Sequence, residues 1–198
     1  MIPNFEAAGD ALPENGVIVV EHYWHPRLRA TPQQPAENTS MAFFRRLRVA
    51  DKCWCGSGKK FGKCHRRADD WTFVALDPDQ RASSPIVLYE RQYPVADFEK
   101  TRAALMQGEG FAVVLDAPQQ ATWSVLAVPI IENEIGRLSL GTVELDGQHL
   151  HFEANSEKRF EWLNAQIERL LGDLIGAGIT HKADPQQQFH RALKGRER

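Results

Sequence analysis

Between positions 53 and 65 the chain reads Cys53-Trp-Cys55-Gly-Ser-Gly-Lys-Lys-Phe-Gly-Lys-Cys64-His65, and these thirteen residues hold all three cysteines of the 198-residue sequence. Three thiols and an imidazole in the pattern C-x-C-x8-C-H form a set of soft and borderline ligands suited to tetrahedral Zn²⁺ in a closed structural site. Cys53 and Cys55 can turn both sulfurs to one side only if the backbone bends after them. Gly56 and Gly58 supply that bend, because glycine accepts positive φ without a Cβ clash. A Gly-rich turn also aims backbone N–H groups inward, where they can hydrogen-bond thiolate sulfur. Cys64 and His65 are adjacent and leave the backbone in different directions, so the longer imidazole reaches back to an ion that the Cys64 sulfur meets directly. Trp54 and Phe61 are the expected cover that keeps water away.

Other chemistries for this stretch fail on spacing. Gly56-Ser-Gly58-Lys59-Lys60 has the look of a phosphate loop, but G-x-x-x-x-G-K-[ST] needs Gly where Cys53 stands and Ser or Thr where Lys60 stands. A dithiol redox motif needs C-x-x-C, which is absent. The bland alternative is three unligated thiols and a surface histidine.

The run resembles the SEC-C zinc motif, known from the C-terminus of the SecA translocation ATPase and from many other bacterial proteins. C-x-C-G-S-G-K-K-F/Y-x-x-C-[CH] is satisfied at every position, with His65 in the last ligand slot. The resemblance implies that Cys53, Cys55, Cys64 and His65 bind one zinc ion. In SecA the motif docks onto the chaperone SecB and has been linked to ribosome contact, so the implied role is recognition rather than catalysis. The likeness covers a small part of the chain, and nothing else looks like an ATPase motor.

Charge is concentrated around the same residues. The whole chain carries a net charge of −2. Between Arg45 and Arg67, nine basic residues (among them Lys59, Lys60, Lys63, Arg66 and Arg67) face one acid, Asp51, which makes +8 there and −10 elsewhere by difference. Such a patch attracts an acidic protein, a ribosome or nucleic acid. The alternative is a solvated face that keeps a small module soluble.

The elements that position this stretch follow from periodicity. Composition is globular, 42% hydrophobic and 25% charged. No apolar run approaches the length of a membrane helix, and MIPNFEAAGDALPENG has neither the basic start nor the apolar core of a signal peptide. Thiols kept for metal in such a chain point to the cytoplasm. Val17–Val20 reads as a buried strand that runs into His22 and His25, a pair without a third ligand nearby and therefore expected as packing. Residues 31–40 form a Pro-rich polar linker. Ser40 can cap a short helix through Leu47. Trp71–Leu76 and Pro85–Tyr89 read as strands, Asp97–Met106 as a helix, and Phe111–Leu115, Thr122–Ile130, Gly136–Leu145 and Gln148–Glu153 as further strands.

Asp146-Gly147 is a strong two-residue hairpin signal. It pairs Leu145 with Gln148, Glu144 with His149, Val143 with Leu150 and Thr142 with His151. Val143, Leu145, Leu150 and Phe152 then share one face, and Glu144, His149, His151 and Glu153 the other. Asn155 or Ser156 caps a helix of about 20 residues, whose stripe Phe160, Leu163, Ile167, Leu170, Leu171 and Leu174 covers the apolar face. Gly176 and Gly178 end it. The stretch from Gly141 to Ile175 is also similar to C-terminal segments of other bacterial proteins carrying SEC-C motifs, which implies a shared domain and no particular activity.

The expected fold is α+β: a mostly antiparallel sheet covered by a long C-terminal helix, with a small inserted zinc module. The expected division is an N-terminal segment over 1–40, the module over 41–70, the α+β domain over 71–180 and a mobile tail over 181–198. The expected function is that of a non-catalytic binding or adaptor protein. An enzyme with a site on the polar sheet face around His149 and His151 is the alternative, since two imidazoles and two carboxylates on one face can bind metal or move protons. Against it, such Glu–His neighbours are ordinary on a solvated sheet, and no nucleophile–base motif occurs elsewhere.

Overall fold

The computed structural model describes residues 16–25, 40–65, 71–79, 81–134 and 136–183. Among them run β1 (Gly16–Trp24), β2 (Ser40–Arg46), β3 (Trp71–Leu76), β4 (Ser83–Pro85), β5 (Leu88–Pro94), α1 (Phe98–Met106), β6 (Phe111–Ala117), β7 (Gln120–Leu126), β8 (Arg137–Asp146), β9 (His149–Ala154), α2 (Glu157–Leu171) and β10 (Ile179–Ala183). The fold is mixed α+β, a curled sheet with two helices. All described strand pairs are antiparallel except β1 with β3.

β1 is the branch point of the sheet. β2 lies along one edge of it from Ile18 to Trp24. Its other edge is divided: β3 takes Gly16 to Val20, and β8 takes His22 to Trp24. β8 is divided in the same way, pairing with β1 through Ser139 and with β9 from Gly141 onward. Gly141 stands at that second division. A Cβ there would lie 2.5 Å from the Glu153 carbonyl and 2.9 Å from Leu163, so only glycine lets β9 and α2 approach so closely.

At the fork between β3 and β8 an arginine from α2 reaches backbone carbonyls near the ends of both strands. Arg159 is buried, yet its Nε donates to the Leu76 carbonyl at 2.7 Å and its Nη1 to the Ser139 carbonyl at 3.3 Å. Burial lowers its pKa to about 10, against the raising influence of the Asp77 and Glu21 charges, so it stays cationic at neutral pH. Asp77, next to Leu76 and also buried, accepts from Ser84 Oγ at 2.6 Å and Lys158 Nζ at 2.7 Å. A buried cation and a buried carboxylate thus both keep partners, as desolvated charges require.

α2 is positioned by its cap and its stripe. Ser156 accepts from the Arg159 N–H, and Glu157 lies in the first turn. Leu163, Ile167 and Leu171 pack on Val143, Leu145, Leu150 and Phe152. Burial of each such side chain contributes about 1.5–3 kcal/mol. Phe160 stacks on Phe152 and Tyr89, and Tyr93 Oη donates to Asn164 at 2.6 Å.

Several expectations are corrected here. Ser40–Arg46 form β2 rather than a helix: seven residues are too few for a helix in water, whereas pairing with β1 along the full length of β2 gives it cross-strand hydrogen bonds. α2 spans 15 residues plus a 3₁₀ turn at Gly172–Leu174. It is shorter than expected, it ends at Gly172 (φ +49°) rather than at Gly176 or Gly178, and it is not C-terminal, because β10 follows. Residues 181–183, expected in a tail, belong to β10; 184–198 lie outside the described residues, as do 1–15 and most of the Pro-rich linker.

The hairpin loop is Gly147-Gln148, one position later than expected. Asp146 stays in the ladder opposite His149, so Leu145 meets Leu150 and Glu144 meets His151. The neighbouring strand explains the shift: Gln120 of β7 pairs with Asp146, and the Gly147 N–H donates to the Gln119 carbonyl at 3.0 Å. Both strands move by one, so the division into apolar and polar faces is unchanged.

Candidate metal centre

The connection between β2 and β3 contains a small hairpin of its own. Cys53 N–H donates to the Lys59 carbonyl at 2.7 Å and Phe61 N–H to the Asp51 carbonyl at 2.8 Å, with Lys52 opposite Lys60. Gly56 and Gly58, at φ +74° and +72°, turn the chain between them, where other residues would be strained. A 3₁₀ turn at Phe61–Lys63 follows, and the N–H groups of Cys64 and His65 both donate back to the Phe61 carbonyl. That tight turn brings the second ligand pair back over the first.

The four side chains converge. Their ligand atoms lie within 4.8 Å of one another. Cys55 Sγ and Cys64 Sγ are 3.7 Å apart, and His65 Nδ1 is 3.4 Å from Cys53 Sγ and 3.2 Å from Cys64 Sγ. A tetrahedral zinc ion with sulfur ligands at about 2.3 Å requires S···S edges of roughly 3.8 Å and slightly shorter S···N edges. Donor types and spacings therefore fit such an ion, held through Nδ1 of the imidazole. The set can hold a metal ion and is compatible with zinc. Such an ion, when bound, supplies a rigid cross-link between the two turns.

The surroundings favour thiolate at Cys55. Hydrogen bonds from the Ser57 side chain and backbone hold the Cys55 thiol down to about 6. Burial pushes the Cys53 thiol up, opposed by a backbone hydrogen bond from Cys55. The inward N–H groups expected of the glycine-rich turn are thus present, while Ser57 is a contributor that the ligand pattern alone did not single out. Ser57 Oγ also lies 3.3 Å from Cys64 Sγ. Phe61 is buried with Cys53, and the Trp54 ring sits 5.0 Å from His65.

The hairpin is docked on the sheet. Cys53, Phe61 and Leu47 pack against Val19 of β1 and Val74 of β3. The Ser83 N–H of β4 donates to the Trp54 carbonyl at 2.8 Å.

Lys59, Lys60 and Lys63 are exposed on the hairpin and its following turn, with Lys52, Arg46 and Arg48 exposed nearby. Among the described residues, none of the three lysines has an ion pair. Arg66 and Arg67 lie outside the described residues. Glu144, His149, His151 and Glu153 share the polar face of β8 and β9, with Glu144 opposite His151. No second grouping of three or more metal-binding side chains forms among the described residues. His22 is half-buried beside Asn155, whose Nδ2 is 3.4 Å from its Nδ1, and takes no part in the metal centre.

Residues 50–67 match the family model of the SEC-C motif, so the chain carries that motif over the metal hairpin and its flanks. No curated protein and no solved structure matches the chain. No helix among the described residues is long and apolar enough to cross a membrane.

Proposed function

We propose that this chain is a non-catalytic binding protein in which one Zn²⁺, held by Cys53, Cys55, Cys64 and His65, fixes a basic recognition surface. The convergence of four ligand atoms in a hairpin that carries three exposed lysines supports this reading. Zinc joins the two turns that flank Lys59, Lys60 and Lys63, so metal binding orders the loop that presents them. The partner is anionic: an acidic protein, a ribosome or nucleic acid. A ligand set of reduced thiols suits the cytoplasm. The sheet face around His149 and His151 has no observation that favours catalysis.

The test is charge reversal with the metal retained. Lys59→Glu, Lys60→Glu and Lys63→Glu together should abolish retention on heparin while zinc content and folding stay normal, and wild-type retention should fall steeply with salt. Equal retention of the triple variant would leave the patch as a device for solubility.

A further inference from the structure

The sheet presents a second charged surface, of opposite sign. On β8, β9 and β5 the residues that alternate with the core point away from α2. They include Glu144, Asp146, Glu153 and Glu90, all exposed. Glu153 sits directly opposite Glu90 in the register of β9 and β5. Like charges directly opposite one another are destabilising. Among the described residues none of these four carboxylates has an ion pair or a side-chain hydrogen bond, so no described cation relieves the repulsion.

The basic hairpin of the same chain cannot provide that cation. Tyr23 clusters with Leu138, Leu140 and Trp162, the last on α2, so it faces the helix side of the sheet. Val19, four residues earlier in β1, points to that same side, and it is the residue on which the hairpin packs. The hairpin therefore lies on the helix side, and the acidic face on the other.

We propose that the anionic partner of the basic hairpin is the outer sheet face of a second copy of this chain, the lysines of one copy docking on Glu90, Glu144 and Glu153 of another. This rests on the recognition reading of the hairpin and names its partner. The charges support it: +8 around the motif against −10 over the remainder. A contact between two different surfaces is heterologous, so it closes into a reciprocal pair or a ring, or extends as a chain. Electrostatic contacts of this kind weaken with salt.

Analytical ultracentrifugation of the zinc-loaded full chain tests it. At low salt the wild type should self-associate, and 0.3 M salt should weaken association about tenfold or more. Lys59→Glu/Lys60→Glu/Lys63→Glu and Glu90→Lys/Glu144→Lys/Glu153→Lys should each be monomeric alone, and an equimolar mixture should form a complex, because each supplies the surface the other has reversed. Glu90→Gln/Glu144→Gln/Glu153→Gln should also be monomeric and covers the case in which the lysine variant does not fold. A wild type that stays monomeric at low salt, or reversal variants that fail to combine, overturns the proposal. Heparin retention separates the two readings: if wild type is monomeric yet its retention is lost in the lysine reversal, only self-association falls.

Discussion

The Ser83 N–H donates to the Trp54 carbonyl at 2.8 Å, tying β4 to the residue between the first two metal ligands. Gly56 lies against the residues just before that strand, where an added Cβ would be 3.0 Å from Ala82 Cβ. The metal hairpin is thus clamped to the β3–β4 connection as well as to Val19 and Val74. The core under α2 shares none of these contacts. Chelation should therefore remove hydrogen-exchange protection from residues 51–65 and from Ser83, and leave Val143, Leu145, Leu150 and Phe152 protected. Loss of protection across the whole chain in one cooperative transition would contradict this.

Arg159 holds the fork between β3 and β8. Replacing it with methionine keeps most of the stem but leaves the Leu76 and Ser139 carbonyls without the guanidinium, while Asp77 keeps its ion pair with Lys158. The expected cost is about 3 kcal/mol, read as a lower urea midpoint. Arg159→Lys should recover only part of it, since one ammonium cannot match the planar fork that reaches both strands. A methionine variant as stable as wild type would show that the fork closes without the arginine.

His22 makes stability depend on pH. Burial, reinforced by the Arg159 charge, lowers its pKa from 6.5 to about 4. Between those values the unfolded chain binds a proton that the folded chain does not, so this contribution is complete above pH 6.5 and is lost as the pH falls towards 4. The loss is at most on the order of 3 kcal/mol. Urea midpoints measured from pH 7 to 4.5 should fall for wild type and flatten in His22→Gln. An unchanged slope in that variant would assign the acid sensitivity to other groups.

The ligand set was legible because metal chemistry demands particular atoms at particular spacings, and few sequences place three thiols and an imidazole so closely. The apolar and polar faces of β8 and β9 were legible for a similar reason: side chains alternate strictly, so even a hairpin loop displaced by one position left Val143, Leu145, Leu150 and Phe152 together. What was not legible depended on distant partners. β2 is a strand because β1 lies beside it, a contact separated from it by the Pro-rich linker. The loop at Gly147-Gln148 is set by β7, whose Gln120 holds Asp146 in place.

Arg159 shows the same limit more sharply. On a helical wheel it is one more charged residue near a helix start. Only the division of β1 between β3 and β8 gives it two carbonyls to serve, and that division arises from pairing across the length of the chain. Ser57 was hidden differently, inside a motif whose ligands drew the eye from the hydroxyl between them.

Metal content tests the central claim most directly. Elemental analysis of the purified full chain should give one zinc per molecule, and the Cys53→Ser/Cys55→Ser double variant should carry none. A wild-type protein without zinc, or a double variant that retains it, would contradict the account.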